Sequence, residues 1–384
     1  MQYSKLVEVY KKLESVSGKI EKTNIIANLL SQAQADELEQ IVLLLSGRVF
    51  PSWSEKELGV ANQLMIKAIA KACGASTESV THQFNKTGDL GTTAEQMMKA
   101  IRQKRLSRAI LTVNKVFTNL QRISEQTGEG TVDRKISLIT ELISQASPEE
   151  AKYIVRTILE ELRVGVAEGL IRDAIAQAFN VPAEKVEHAW FLNQDYGTIA
   201  KMLKKGGAKA LEKIKIEVGK PVAVLLGEKA PNLEEAMKSY EHIALEKKYD
   251  GMRAQIHKDG NKVWIYTRRM ENVTKQFPDV VELTRKCIKA DKVIIEGEVI
   301  GLDQKTGKPL PFQHLSQRIK RKYDIEKMVK MIPIQVNFFD IIYLNGKTFF
   351  TVPFRERRRV LEKVIKIVPE KFRLAEHIET NDIA

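Results

Sequence analysis

The segment Glu246-Lys247-Lys248-Tyr249-Asp250-Gly251-Met252-Arg253 places an amine between two carboxylates, with a glycine and a guanidinium just behind it. A lysine nitrogen is a nucleophile only after losing its proton, so its ordinary pKa of about 10.4 must fall. Neighbouring Arg, Lys or Mg2+ charge would lower it by favouring the neutral amine. Lys248 is expected at a strand end, with Gly251 forcing a turn behind it. Taken alone, the octapeptide is equally a charged surface turn. No Walker loop, dinucleotide glycine fingerprint, zinc-protease pattern or nucleophile elbow occurs, and the six histidines are scattered.

The elements that must position this lysine are strands. Runs at 245–248, 252–258, 262–267, 293–300 and 334–343 are short, often alternating, and rich in Ile, Val, Phe and Tyr. Turn signals such as Asp259-Gly260-Asn261 and Asn345-Gly346 separate them. Helical stretches intervene at 276–290, 313–330 and 354–367. An α+β fold on a mainly antiparallel sheet follows. Thr267-Arg268-Arg269-Met270-Glu271-Asn272-Val273-Thr274 trails one strand, Ile295-Glu296-Gly297-Glu298-Val299-Ile300 lies within another, and Phe338-Phe339-Asp340 within a third. Alternation buries one of Phe338 and Phe339 without saying which. Glu296 and Glu298 share a strand face, so periodicity does not choose between them. Asp340 is open between a metal ligand and a turn cap.

The first half is helical and doubled. Residues 58–94 align without a gap onto 164–200 at an offset of 106, with 15 of 37 positions identical. Upstream the offset becomes 113, where LLSQA from Leu29 meets LISQA from Leu142, so the first copy carries seven extra residues near Gly47–Glu57. Helical spacing runs through 24–45, 60–73, 137–162 and 166–179, with Asp36 and Ser147-Pro148 as start signals. Copies at about 22–98 and 135–204 thus predict a pseudo-two-fold all-α domain, since a solenoid needs three or more repeats. Gly59-Val60-Ala61 and Gly165-Val166-Ala167 each enter a helix. Backbone N–H groups at such starts attract anions, and two sites about a pseudo-dyad would match the two strands of a duplex. The same glycines serve equally for tight packing and capping. Arg102, Lys104, Arg105 and Arg108 form a basic cluster between the copies, and residues 203–221 read as a linker.

Composition bounds the rest. The 384 residues suggest two domains or three, and 43% hydrophobic content excludes a disordered chain. Net charge is +13, yet 24 of the 62 basic and 24 of the 49 acidic residues lie in 1–200, so the excess belongs to 201–384. That balance favours a polyanionic partner. Cys73 and Cys287 exclude a disulfide framework and a Cys-rich zinc module, which fits a reducing compartment. The N-terminus is charged and amphipathic, unlike a secretory signal, and runs such as Ile41–Leu45 are too short to span a bilayer. A soluble, intracellular and cytoplasmic protein is expected.

The order of these segments (KxDG followed by Arg, then RRMENVT, EGEV and FFD) resembles the ATP-dependent DNA ligases. They belong to the covalent nucleotidyltransferases, with RNA ligases and mRNA capping enzymes. LRVGVAEG from Leu162, GDLG from Gly88 and NQDYG from Asn193 resemble the N-terminal DNA-binding domain of archaeal and eukaryotic-type replicative DNA ligases. RNA ligases and capping enzymes do not resemble that helical half. The resemblance covers essentially the whole chain. It implies a helical DNA-binding domain over 1–215 and a partial adenylation, or nucleotidyltransferase, domain over 216–384.

By that resemblance Lys248 attacks the α-phosphate of ATP and carries AMP, Glu246 reads the adenine amine, and Phe339 stacks on adenine. Arg253 would touch the nucleotide ribose or phosphate, and Arg268 the phosphate at a nick. Glu298 is similar to the family's ribose- or metal-associated carboxylate, with Asp250 a weaker metal candidate. Gly59, Arg102, Lys104, Arg105, Arg163, Gly165, Gly169 and Arg268 are the candidate DNA contacts. Implied companions are ATP, Mg2+ and nicked double-stranded DNA, for a monomer with no membrane role; a sliding clamp is left open. The chain ends at Thr380-Asn381-Asp382-Ile383-Ala384, with nothing matching the family's later EGxxxK-type segment, paired-lysine strand or C-terminal OB-fold domain. An N-terminal portion, incomplete at the end of its adenylation domain and weak or inactive in ligation alone, is therefore expected. The alternatives are a non-catalytic duplex-DNA-binding fragment, or an RNA ligase- or capping-type nucleotidyltransferase.

Overall fold

A computed structural model describes the chain apart from residues 55, 102–109, 225, 226, 228, 239–241, 322 and 381–384, and the side chain of Lys238. The chain divides into two units, Met1–Ile214 and Lys215–Ala384. The basic cluster of Arg102, Lys104, Arg105 and Arg108 lies outside the described residues.

The first unit is helical: α1 Tyr3–Ser15, α2 Lys19–Gln32, α3 Leu38–Leu45, α4 Asn62–Cys73, α5 Thr77–Thr87, α6 Leu90–Ile101, α7 Val113–Ser124, α8 Thr131–Gln145, α9 Pro148–Ile158, α10 Glu168–Ala178, α11 Ala183–Asn193 and α12 Tyr196–Gly206. The helical runs at 24–45 and 137–162 each break in two. In the second, Ser147 caps α9 in a capping box with Glu150, and Pro148 takes the first turn, where it lacks no needed donor. In the first, Asp36 does not cap a helix; it sits inside a 3-10 turn, Ala35–Glu37.

The two copies complete each other. α4 of the first packs on α8 of the second, while α10 packs on α2; α6 crosses α9, and α12 crosses α3. One core results, running through Ile26, Leu30, Ile41, Ile69, Ile139, Ile143, Ile154 and Ile175. At the crossings glycine is needed for close approach. A Cβ on Gly91 would collide with Arg156 and the Lys152 carbonyl, and one on Gly197 with the Glu39 backbone. The stretch 203–221 is less of a linker than its composition suggests. α12 and a 3-10 turn, Ala208–Lys213, continue through it, and Ile214 joins the helical core.

The second unit adds α13 Leu233–Lys238, β1 Ile243–Glu246, β2 Met252–Asp259, β3 Lys262–Thr267, α14 Pro278–Cys287, β4 Lys292–Gly301, α15 Phe312–Ile319, α16 Ile325–Met331, β5 Ile334–Leu344, β6 Lys347–Thr348, α17 Phe354–Val364, β7 Phe372–Leu374 and β8 His377–Thr380. The main sheet runs β3-β2-β4-β5-β6, all antiparallel, with β7 parallel to β5; β1 pairs with β8 apart from it. The expected helix at 313–330 is two, interrupted by Asp324 at φ +54°. Period-two alternation sorts the sheet. Ala254, Ile256, Ile295, Val299, Val336 and Phe338 pack into the apolar core. Arg253, Gln255 and His257 alternate with these on β2, and Glu296 and Glu298 on β4, so one sheet face is polar.

Candidate active site

Lys248 lies just beyond β1, exposed, and helps wall two adjoining cavities together with Tyr249 and Glu298. The larger, about 1190 Å³, is also lined by Asp250, Arg253, Arg268, Arg269, Phe312, Ser316 and Lys320. The smaller, about 240 Å³, adds Glu246, Lys247, Phe339 and Ala375. Every candidate nucleotide residue of the strand-rich half therefore reaches one cavity or the other.

The backbone explains these placements. β4 and β5 pair Glu296 with Asp340 but Gly297 with Phe338, so Phe339 is the extra residue of a bulge. Bulges re-aim side chains beside functional sites. Phe338 goes to the core, edge-on to Phe372 at 4.7 Å, while Phe339 faces the small cavity with the Arg253 guanidinium 5.3 Å from its ring centre. Gly251 lies in the expected bend, but without a left-handed φ. Its Cβ would collide with the Val299 carbonyl and Glu298, so glycine is there to let the lysine segment lie against β4. Asp340 is held bidentately by Arg357, at 2.7 and 2.9 Å. Its Oδ1 also accepts from the Ile341 backbone N–H at 2.8 Å.

Glu296 and Glu298 separate by environment. Glu296 is buried, ion-paired with Arg253 and accepting from Gln255 Nε2 at 3.0 Å. Glu298 lines both cavities. Burial pushes its carboxyl up to about 7, against the pull of Lys248 and Arg253. Burial also raises the Glu246 carboxyl, opposed by Arg358 and His377. A desolvated carboxylate beside phosphate-sized space fits a cation ligand by charge. Among the described residues no group of three or more His, Cys, Asp or Glu could hold a metal by itself.

Sequence reasoning missed the buried line behind Arg253. Gly219 N–H donates to His257 Nδ1 at 3.1 Å, so Nε2 carries the ring proton and donates to Gln255 Oε1 at 2.9 Å. Gln255 also clasps Val222 through both its backbone N–H and C=O, at 2.7 and 3.1 Å, and donates to Glu296. Burial drives the His257 pKa down to about 3, so the imidazole stays neutral. Arg253-x-Gln255-x-His257 is indistinguishable from an ordinary solvent face in sequence; the segment 219–222 lies over Gln255 and His257 and hydrogen-bonds to both. Arg269, Lys320 and Phe312 were also missed, because nothing local ties them to the lysine.

In the helical unit, Gly59 and Gly165 both take left-handed φ, +59° and +67°, in exposed turns. Gly169 lies in the first turn of α10 with open space where a Cβ would go. Arg163 is exposed and paired with Glu161. No helix among the described residues is long and apolar enough to cross a membrane.

A lysine at the common wall of two cavities, in a unit built on an antiparallel sheet, is an arrangement a covalent nucleotidyltransferase domain would use. Residues 2–176 match the family model for the DNA ligase N terminus, and 225–384 that for the ATP dependent DNA ligase domain. The chain belongs to the ATP-dependent DNA ligase family. It is 47% identical over 366 residues to a DNA ligase of Nanoarchaeum equitans, covering 95% of this chain and 64% of the relative. DNA ligases of Thermococcus onnurineus and Archaeoglobus fulgidus are 41% and 42% identical over all of this chain and 68% of theirs. The chain thus spans about two thirds of the length of these relatives.

Proposed function

We propose that this chain carries the nucleotide-loading and duplex-binding parts of an ATP-dependent, nick-sealing DNA ligase. The observation that carries the proposal is the shared wall: Lys248 and Glu298 stand between an adenine-sized cavity and a wider cationic cleft. Lys248 Nζ attacks the α-phosphorus of ATP; an N–P bond forms, the bond to the β-phosphate oxygen breaks, and pyrophosphate leaves. AMP then passes from Lys248 to a 5′-phosphate at a nick, and the adjoining 3′-hydroxyl displaces it to close the strand. Phosphoryl transfer is mostly positioning and charge neutralisation, which suits a cleft lined by Arg253, Arg268, Arg269 and Lys320.

Glu246 and Phe339 would hold the adenine by its amine and its face, and Arg253 the ribose or phosphate. Glu298, with Asp250 at the cleft edge, would hold Mg2+, which needs only one or two carboxylates besides phosphates and water. Mg2+ bound there would offset phosphate charge. The helical unit would grip the duplex through the Gly59 and Gly165 turns. No clamp partner or assembly state is needed for these steps.

The test is incubation with ATP, Mg2+ and a nicked duplex labelled at the 5′-phosphate. The proposal expects adenylated or sealed product, and tighter binding to nicked than to intact duplex at constant salt. Neither product nor nick preference would overturn it and leave a plain duplex-binding scaffold.

A further inference from the structure

Each glycine turn of the helical unit is fastened by a lysine from the other copy. Lys22, on α2, donates from Nζ to the carbonyls of Val164 and Gly165 at 2.8 and 3.3 Å. Lys135, on α8, donates to those of Leu58 and Gly59 at 2.6 and 3.4 Å. The lysines are 113 residues apart and the turns 106 apart, the same two offsets that relate the copies. The same interaction therefore occurs twice about the pseudo-dyad.

Its surroundings match as well. Leu58 and Val164 are buried, Gly59 and Gly165 exposed, and both lysines are half-buried. A Cβ on either glycine would press on the lysine Nζ, so each turn needs glycine both for its φ and for the ammonium's approach. A staple between helix and turn does not need a charge. Yet neither ammonium has a carboxylate partner among the described residues, whereas Lys152, Lys201 and Lys205 of the same unit pair with Glu14, Glu39 and Asp36. An ammonium has three N–H donors. Two carbonyls take two of them, leaving one donor and an uncompensated positive charge at an exposed turn.

We propose that Lys22 and Lys135 are a matched pair of phosphate-binding residues, one for each strand of a duplex, mounted on the Gly165 and Gly59 turns. This rests on the duplex-binding reading above. Chemically, each site takes a single backbone phosphate, with no dependence on base sequence.

The test measures affinity of the full chain for a short nicked duplex across a salt series, beside Lys22→Met, Lys135→Met, the double variant, and Lys→Arg at each position. Removing one phosphate-binding cation should flatten the slope of log K against log salt by about 0.9. Each Met variant should show one such step and the double variant two, with the Arg variants near wild type. Weaker binding at an unchanged slope, tracking a lowered melting midpoint, would show mere staples and overturn the inference. A wild-type chain that binds no duplex would sink the duplex-binding reading as well, so the two failures are distinguishable.

Discussion

The α6–α9 crossing of the helical unit and the cleft of the sheet unit handle charge in opposite ways. In the helical unit, buried charges end on one another: Arg156 reaches Asp89 at 2.9 and 3.1 Å and also pairs with Glu14, beneath the α6–α9 crossing. Across the pseudo-dyad the Arg156 position is Leu43, so Asp195 has no arginine and keeps only the capping role it shares with Asp89, accepting from the N–H groups of Gly197 and Thr198 at 2.9 and 3.1 Å. In the sheet unit, Lys248, Arg268, Arg269 and Lys320 line a cleft with no ion-pair partner among the described residues. Charge beneath the α6–α9 crossing holds helices together. Charge lining the cleft is left for a ligand to satisfy.

That contrast predicts which property each substitution damages. The largest effect should come from Arg156→Met, which strands a buried carboxylate and should cost the helical unit about 3–5 kcal/mol. Lys248 adenylation should be untouched, and calorimetry beside an adenylation assay reads both. Burial tends to raise the Asp89 carboxyl, but Arg156 and Thr92 outweigh it and hold the group at about 2. A carboxyl lowered in the folded state adds stability above its unfolded pKa of 3.8 and loses it as pH falls towards 2. Roughly 2 kcal/mol should disappear over that window in wild type, and much less in Arg156→Met. An equal pH response in both would break the comparison.

Glu298→Gln should do the reverse. The rate of AMP loading, followed by intact mass, should fall on the order of 100-fold, as when one preorganised polar group leaves a transfer site. Its melting midpoint should hold, since no buried partner is stranded. A large stability loss with normal loading would make Glu298 a structural residue. The smallest effect belongs to the second copy: Asp195→Ala removes an N-cap and should cost only about 1 kcal/mol. Comparing it with Asp89→Ala, which also strands Arg156, measures how far the copies have diverged.

Much of this architecture was legible in sequence because periodicity and offset are local signals. The duplication at 106 and 113 residues and the strands from Met252 to Tyr343 follow from spacing, while the four segments around Lys248 were joined by their resemblance to the ATP-dependent DNA ligases. What spacing did not give depends on neighbours distant in the chain. The Phe339 bulge needs the β4 register, Gly251 needs the Val299 carbonyl, and Asp340 needs Arg357 seventeen positions on. Nothing local in sequence marks Lys22 and Lys135; α2 and α8 bring them to turns in the opposite copy. Gln255 and His257 looked solvent-facing until the 219–222 segment covered them.

The central claim is that Lys248 is the nucleophile at the shared wall of the two cavities. Intact mass of the purified chain after ATP and Mg2+, beside Lys248→Ala, tests it most directly. The account predicts one added AMP on the wild-type chain and none on the variant. An adduct that survives in Lys248→Ala, or a wild-type chain that takes up no AMP at saturating ATP, would contradict it.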